Sequence, residues 1–427
     1  MDKLKSFWRS LGPGLVVGAA DDDPAGIAIY AIAGAKFGLS ILWTVIATLP
    51  FMIIIQRMAG RIGLVSGKGL AGNMKKHYPI WMLLFITVLI SVSTVINIGA
   101  DISAMSAAVK LLVPLPSVII SILLSLIVIG LIIILPYRTI AKYLKWIAIV
   151  LFSYVLAVFF ISPDWRNVML NVFIPHITFS KEYLAMIVAI FGTTISPYLF
   201  FWQASEAVEE ERLHYHDHIH GMIPDIKPHT ASRSSVRMKN EIGTMYTDVR
   251  MGMIFSNLIT FFIMILAAST LFSHGFSEVS SIEEMATILQ PLAGHYTNLL
   301  FLIGIIASGI LAIPVLAGSA AYAIAETIGW KVGLDYTFGK ARQFYLILVL
   351  ATLLGISIPV LGLQPVNILY YTGIIFGAVS PFIIALVIHM ANNPKIMGQY
   401  TSRLLSNIIA YILLIIMTAC IIAMILL

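Results

Sequence analysis

The stretch that decides the fold runs from Gly12 to Gly38 and reads GPGLVVGAADDDPAGIAIYAIAGAKFG. It is apolar at both ends and long enough to cross a bilayer, but its centre carries three consecutive carboxylates, Asp21, Asp22 and Asp23. A carboxylate in the middle of a membrane helix costs roughly 3 kcal/mol on insertion scales, so such residues usually mark an ion or substrate path.

The residues after the acids predict an interruption of this helix. Pro24 has no amide hydrogen to donate, and its ring clashes with the carbonyl four residues earlier. Gly26 adds backbone freedom two positions later. We therefore expect a helix that is broken near mid-membrane, where freed carbonyls and a carboxylate bind a cation.

The composition of the whole chain is that of an integral membrane protein. Of its 427 residues, 59% are hydrophobic and 11% are charged, whereas a soluble domain has about 25% charged residues. Cys420 is the only cysteine, which excludes a disulfide framework and a cysteine-based metal site.

Eleven hydrophobic stretches of about 20 residues or more are predicted to cross the bilayer. They lie at approximately residues 13–36, 39–60, 79–108, 116–136, 140–162, 183–205, 250–273, 296–325, 343–362, 366–391 and 403–426.

The basic residues predict the orientation of these spans, because cytoplasmic loops are enriched in lysine and arginine. With the N-terminus in the cytoplasm and the C-terminus outside, 22 of the 26 basic residues fall on the inner side. The net charge of +6 therefore serves orientation in the plasma (inner) membrane, and we expect the lipid bilayer, not nucleic acid, as the partner. The four basic residues left outside are Lys36, Lys110, Arg166 and Lys181.

A second interruption lies in the sixth predicted span, which reads FGTTISPY at residues 191–198. The first and sixth spans open two five-helix halves of a single transport domain, at about 13–162 and about 183–391, followed by an extra span at about 403–426. Because each half has an odd number of spans, the second half must insert upside down. Paired proline and glycine interruptions at corresponding positions are typical of the binding site of an inverted-repeat transporter.

These motifs resemble those of the NRAMP family (natural resistance-associated macrophage proteins), which transport divalent metals. The hallmarks of the family are an opening Gly-Pro-Gly, Asp-Pro-Gly-Asn in the first span and Met-Pro-His in the sixth. The resemblance covers nearly the whole chain and implies an all-α membrane protein of the LeuT type, a 5+5 inverted repeat of eleven helices. A divalent cation is then expected between the broken first and sixth spans. The matching segments here are Gly12-Pro13-Gly14, Asp23-Pro24-Ala25-Gly26 and Ser196-Pro197-Tyr198.

The resemblance also implies a set of metal ligands, from which this chain departs toward harder donors. Ser196 stands where manganese and iron carriers of the family have a methionine thioether, Thr193 where they have an alanine, and Gly26 where they have an asparagine. Soft ligands select soft metals, whereas oxygen-only sites suit Mg²⁺, Ca²⁺ or Mn²⁺. The pattern resembles the NRAMP-related magnesium transporters, although both hydroxyls can instead satisfy the backbone of a broken helix. The predicted metal ligands are Asp23, Ala20, Gly26, Thr193 and Ser196.

Four further residues are candidates for a gate or relay: Tyr198, Asp101, Asn257 and Gly373. Tyr198 replaces the family's histidine and does not titrate near neutral pH. Asp101 keeps the family's aspartate in the third span, but the nearby glutamate aligns with Ala104. Asn257 is either a polar gate or an ordinary interhelical hydrogen bond, and Gly373 replaces a glutamine. Because a proton relay needs titratable groups in sequence, we expect uniport without proton coupling.

The sequence thus predicts a monomeric transporter that moves Mg²⁺, and also Mn²⁺, into the cytoplasm by alternating access, with no cofactor beyond the transported metal. A proton-coupled Mn²⁺/Fe²⁺ transporter of the same family and a sodium-coupled carrier of an organic solute are the alternatives. We expect no enzyme, since an intramembrane aspartyl enzyme needs two aspartates that face one another from separate helices, which Asp23 and Asp101 would do only by chance. Asp21 and Asp22 are expected to point toward the inner vestibule or to cap the backbone.

The long cytoplasmic segment from Glu206 to Asp248 carries a run of alternating histidines. Alternate histidines can chelate a transition metal, so the segment is interpreted either as a flexible polar loop or as a metal-sensing patch. The histidines are His214, His216, His218, His220 and His229.

Overall fold

The computed structural model describes residues 13–134, 150–219, 235–275 and 279–427, and within these ranges the regular secondary structure is helical. The numbered helices are α1 (Pro13–Asp21), α2 (Pro24–Phe37), α3 (Trp43–Ser66), α4 (Leu70–His77), α5 (Ile80–Lys110), α6 (Ser117–Ile134), α7 (Val150–Ile161), α8 (Trp165–Phe173), α9 (Lys181–Thr194), α10 (Pro197–Ile219), α11 (Ser235–Thr270), α12 (Thr297–Ile328), α13 (Arg342–Gly355), α14 (Ser357–Val360), α15 (Pro365–Asn392) and α16 (Leu404–Leu426). Three short helices, Ile282–Ala286, Gln290–Ala293 and Pro394–Met397, are left unnumbered.

The described residues contain ten helical stretches that are long and apolar enough to cross a membrane. They coincide with ten of the predicted spans, so the prediction of an all-α integral membrane protein is confirmed. The fifth predicted span, at about 140–162, falls partly on residues 135–149, which lie outside the described ranges. Its described part is the shorter apolar helix α7.

Both predicted breaks are present. The first consists of Asp22 and Asp23, between α1 and α2, and the second of Ile195 and Ser196, between α9 and α10. In each case a proline begins the helix that follows, a position where its missing amide hydrogen costs nothing and its fixed φ favours the helix. The prolines therefore end one half-helix and start the next.

The sixth span, α9 with α10, lies at the centre of the bundle. All of its most apolar stretch is buried, compared with 33% of the corresponding stretch of α6 and 17% of that of α16. The outer helices expose large apolar side chains, as a lipid-facing surface requires. Examples are Leu123, Leu126, Phe382 and Ile415.

Contacts between helix ends agree with the predicted alternation of the spans. Lys36 forms an ion pair with Glu182 at 2.9 Å, which joins the end of the first span to the start of the sixth. The guanidinium of Arg57 donates to the carbonyl of Tyr246 at 3.0 Å, which joins the second span to the start of the seventh. Each pair joins two helix ends that the sequence predicts to lie on the same side of the membrane.

Helices α9 and α15 pack so closely that only glycine fits where they touch. A Cβ added at Gly192 would lie 2.2 Å from the backbone nitrogen of Gly377 and 2.3 Å from the carbonyl oxygen of Gly373. A Cβ added at Gly377 would lie 2.4 Å from the carbonyl oxygen of Val188. Small residues allow membrane helices to approach in this way. We refer to Gly192, Gly373 and Gly377 as the glycine seam.

The seam generates a stability prediction. Gly192→Ala is expected to cost about 1–3 kcal/mol, because the added methyl group forces two backbones apart. Gly130→Ala in α6 is the matched control, since no heavy atom lies within 4 Å of a Cβ added there. Thermal unfolding of the two purified variants in detergent makes the comparison. A melting temperature for Gly192→Ala at or above that of the wild type contradicts the close packing.

Candidate metal site

Asp23 closes the first break by capping the helix that follows. Its backbone is extended, and its Oδ1 accepts a hydrogen bond from the amide of Gly26 at 2.6 Å. The residue is 2% exposed. The N-terminus of a helix favours a negative charge, and each carboxylate oxygen keeps a further lone pair. Asp23 is therefore held in place by the fold and still able to bind a cation.

Asn97 of α5 joins two aspartates at this break. Its Nδ2 donates to Asp23 Oδ2 at 2.8 Å and to Asp101 Oδ2 at 3.4 Å. Asp101 Oδ1 accepts the amide hydrogen of Ala25 at 3.2 Å, so the third span helps to cap α2. The amide oxygen of Asn97 is buried without a hydrogen-bond partner. Buried polar atoms of this kind need a partner, and a cation at the break would supply one.

Side-chain and carbonyl oxygens of the second break lie close to those of the first. Ser196 Oγ lies 2.5 Å from the carbonyl oxygen of Thr193 and 3.2 Å from Asp21 Oδ1. A Cβ added at Gly26 would lie 3.3 Å from both Asp23 Oδ1 and Thr193 Oγ1. Both oxygens therefore border the small space that the missing side chain at position 26 leaves open. Oxygen atoms of the first and sixth spans converge at the two breaks.

Tyr198 and Ala20 hold the two spans in a closed arrangement. The Tyr198 hydroxyl donates to the Ala20 carbonyl at 3.1 Å, and its ring packs against Phe376 with centroids 5.4 Å apart. Tyr198 and Ala20 are both fully buried. The Ala20 carbonyl, which the resemblance places among the ligands, is therefore engaged by Tyr198 in this conformation.

Asn257 and Gly373 are engaged elsewhere. Asn257 Nδ2 donates to Thr48 Oγ1 at 3.2 Å and lies 3.6 Å from Met52 Sδ, which is the interhelical hydrogen bond that the sequence left as an alternative. A Cβ added at Gly373 would lie 2.3 Å from Ile29 Cδ1. Gly373 therefore lies at a close contact between two helices in this conformation. A role as a gate stays a prediction for both Asn257 and Gly373.

Asp21 and Asp22 do not lie where the sequence analysis expected them. Both are fully buried. Ser256 Oγ of α11 lies 3.2 Å from Asp21 Oδ2 and 3.2 Å from Asp22 Oδ1. Their side chains therefore contact hydroxyl groups of the seventh span and of the second break, and neither faces an inner vestibule nor caps the backbone.

The structure adds two residues that the sequence analysis did not select, Asn97 and Ser256. Asn97 precedes Asp101 by four residues, so the two side chains share one face of α5. This spacing is a signal that identifies Asn97 once Asp101 is suspected. Ser256 adjoins the selected Asn257, and a serine in an apolar span carries no comparable signal. The predicted histidine patch at 214–229 lies outside the residues whose side chains the structure describes.

Two broken spans that meet around buried carboxylates define the class of inverted-repeat membrane transporters. A family model described as Natural resistance-associated macrophage protein-like matches residues 14–427, and the chain belongs to this family. The resemblance drawn from the motifs is thereby confirmed. The family consists of metal transporters, so the expectation that the chain is no enzyme is confirmed as well.

Curated relatives share this assignment at low identity. The divalent metal cation transporter MntH of Caldanaerobacter subterraneus is 22% identical over 412 residues, which cover 95% of this chain and 90% of that protein. The protein of the same name from Mycobacterium tuberculosis is 23% identical over 404 residues, which cover 94% and 87%.

Solved structures show the same fold. The Eremococcus coleocola manganese transporter, in complex with an aromatic bis-isothiourea substituted compound, has a TM-score of 0.76 at 16% identity, covering 97% of this chain and 86% of that one. The inward-facing conformation of Mhp1 has a TM-score of 0.56 at 12% identity, covering 89% and 76%. The predicted LeuT type of fold is confirmed.

The role of Asn97 is tested by removing its amide. Asn97→Ala is expected to weaken Mn²⁺ binding to the purified protein at least tenfold, because Asp23 and Asp101 lose a shared donor and the site loses a carbonyl oxygen. Asn257→Ala is the matched control, as another buried asparagine engaged away from the breaks. It is expected to lower the melting temperature and leave the Kd within about twofold. Isothermal titration calorimetry measures both, and an equal loss of affinity in the two variants refutes the assignment.

Proposed function

We propose that this protein carries divalent cations across the membrane into the cytoplasm by alternating access. Membership of the Nramp family, together with relatives named as divalent metal cation transporters, supports the substrate class. The observation that carries the proposal is the buried Asp23 carboxylate at the meeting point of two broken helices, fixed by Gly26 and Asn97. A fixed anion that lipid and water do not reach is suited to a cation that travels through the protein.

Mg²⁺ is the cation we propose as preferred, with Mn²⁺ also accepted. The donors around the breaks are carboxylate, amide, hydroxyl and carbonyl oxygens, and hard cations prefer such ligands. Gly26 and Ser196 replace an amide and a thioether of the family pattern, which leaves room for a cation that keeps part of its water shell. The side chains that contribute these oxygens are Asp23, Asn97, Asp101, Thr193 and Ser196.

We propose that transport proceeds without proton coupling. Tyr198 occupies the position of the family's histidine, and its hydroxyl is bound to the Ala20 carbonyl. The membrane potential contributes roughly 2.3 kcal/mol per charge per 100 mV, or about 4.6 kcal/mol for a divalent cation. An inside-negative potential therefore drives entry by itself. A monomeric transport unit in the plasma membrane, with a cytoplasmic N-terminus and an external C-terminus, belongs to the same proposal.

The closed arrangement suggests which contacts change during transport. Both breaks are buried on all sides, and the Tyr198 to Ala20 hydrogen bond links the first and sixth spans across them. Loss of this bond frees the Ala20 carbonyl for the cation and lets the two spans separate. Rocking of these spans against the remaining helices then opens the site to one side at a time.

A second candidate function is proton-coupled transport of Mn²⁺. It is favoured by the likeness of the fold to the Eremococcus coleocola manganese transporter and by the MntH relatives. The two candidates differ in the preferred metal and in the movement of protons, so one experiment separates them.

That experiment is uptake into proteoliposomes that contain a pH-sensitive dye. We expect Mg²⁺ uptake driven by an inside-negative potential, competition by Mn²⁺, and no acidification of the lumen. Asp23→Asn should abolish uptake without unfolding the protein, because the ion loses its anionic ligand. Asp164→Asn, which changes an exposed aspartate that caps α8, is the control and should transport normally.

Two results overturn this proposal. Undiminished uptake by Asp23→Asn refutes the assignment of the ligand. Strong Mn²⁺ uptake accompanied by acidification, with little Mg²⁺ uptake, establishes the second candidate instead.

The metal preference is tested by restoring the family's thioether. Ser196→Met is expected to shift the ratio of Mn²⁺ to Mg²⁺ uptake at least tenfold toward Mn²⁺, because a soft donor replaces a hard one. Ser196→Ala is the control, since it removes the hydroxyl without adding sulfur. Initial rates for the two metals give the ratio, and an unchanged ratio in Ser196→Met shows that this position does not select the metal.

A further inference from the structure

The carboxylates of Asp21 and Asp22, when ionised, have more acceptor oxygens than the neighbouring serines have hydrogens to donate. Ser256 carries one hydroxyl hydrogen, yet its oxygen lies 3.2 Å from an oxygen of each carboxylate, and one hydrogen serves one acceptor. Ser196 is the other hydroxyl beside Asp21, but its shorter contact, at 2.5 Å, is with the Thr193 carbonyl. When both carboxylates are ionised, at least one contact in this group therefore brings two oxygens together without a hydrogen between them.

Asp22 Oδ2 is buried without a hydrogen-bond partner. Thr260 follows Ser256 by one turn on the same face of α11, and its buried hydroxyl lies beside that of Tyr30. Among the described residues, the contacts of the two carboxylates are with hydroxyl groups and not with lysine or arginine. Buried charge of this kind is costly unless it is paired.

The group is distinct from the site at Asp23. Both oxygens of Asp23 accept hydrogen bonds, one from Gly26 in its own helix and one from Asn97 in the third span. Asp21 and Asp22 instead face Ser256 in the seventh span. The three consecutive aspartates therefore point in two directions: Asp23 toward the third span, and Asp21 and Asp22 toward the seventh.

We propose that Asp21, Asp22 and Ser256, with Thr260 one turn away, form a second binding site for a hard divalent cation. Two carboxylates supply a charge that a divalent cation neutralises, and the oxygen-only set suits Mg²⁺, Ca²⁺ or Mn²⁺. The described residues hold no group of three or more acidic, histidine or cysteine side chains gathered for a metal. A cation between Asp21 and Asp22 would therefore take its further ligands from hydroxyl oxygens and water. This second site goes beyond the proposed function, which places one cation at Asp23.

The two sites share the second break. Ser196 Oγ contacts both Asp21, in the second site, and the Thr193 carbonyl, in the first. A cation bound at Asp21 would replace the longer Ser196 contact of that carboxylate and leave the Ser196 hydrogen to the Thr193 carbonyl, its nearer partner. Ser196 therefore borders both sites.

The test counts bound metal in the purified full chain, with Mn²⁺ as the probe in lipid nanodiscs. Equilibrium dialysis should give two Mn²⁺ per chain for the wild type, one for Asp22→Asn and one for Asp23→Asn. The wild type should also show dipolar broadening of its bound Mn²⁺ electron paramagnetic resonance spectrum, which each single variant loses. Glu283→Gln, which changes an exposed acid outside the spans, is the matched control and should keep both ions.

Ser256→Ala is a second variant of the proposed site, in case Asp22→Asn does not fold. It removes only one neutral hydroxyl, so it is expected to fold. It should weaken the second binding event at least tenfold and leave the first unchanged. One Mn²⁺ per chain in the wild type, retained in Asp22→Asn, overturns the second site while leaving the proposed function intact. Conversely, retention of both ions in Asp23→Asn refutes the proposed ligand without touching the second site.

Discussion

The site depends on one constraint: backbone groups released by a broken membrane helix must find partners within the protein, since neither lipid nor water supplies them. At the first break the Asp23 side chain takes the amide hydrogen of Gly26, and Asp101 takes that of Ala25. Freed carbonyls of the two breaks accept hydrogen bonds from hydroxyl groups of the sixth span, those of Tyr198 and Ser196.

Under the proposed function, the groups that satisfy the backbone would also bind the cation, so binding would be an exchange of partners. The Ala20 carbonyl would exchange Tyr198 for the ion, and the Asn97 oxygen, now without a partner, would gain one. Because the exchanged hydrogen bonds join different spans, a change of ligand would also change how the spans are held together. Occupancy of the proposed site would thereby be linked to movement of the helices around it.

Features encoded locally were predictable, and features formed between distant segments were not. The length of each apolar stretch and the placement of proline determined the spans and both breaks. The cap at Asp23 was not predicted, because the sequence indicated metal binding for Asp23 and backbone capping for Asp21 or Asp22. Asn97 and Ser256 lie 74 and 235 residues away from the aspartates they contact, and no local pattern encodes such pairs. Asn257 was selected because it is an amide in an apolar span. Its neighbour Ser256 is turned about 100° around the helix axis, and it is Ser256 that contacts Asp21 and Asp22.

The glycine seam has a mechanical consequence. Backbone touches backbone where α9 meets α15, so no side chain lies between them to absorb a displacement, and dense interiors of this kind transmit strain. In the proposed rocking movement, a tilt of the first half of the sixth span would therefore displace the tenth span with it. The moving group would then consist of the first, sixth and tenth spans, and the remaining helices would form the fixed frame.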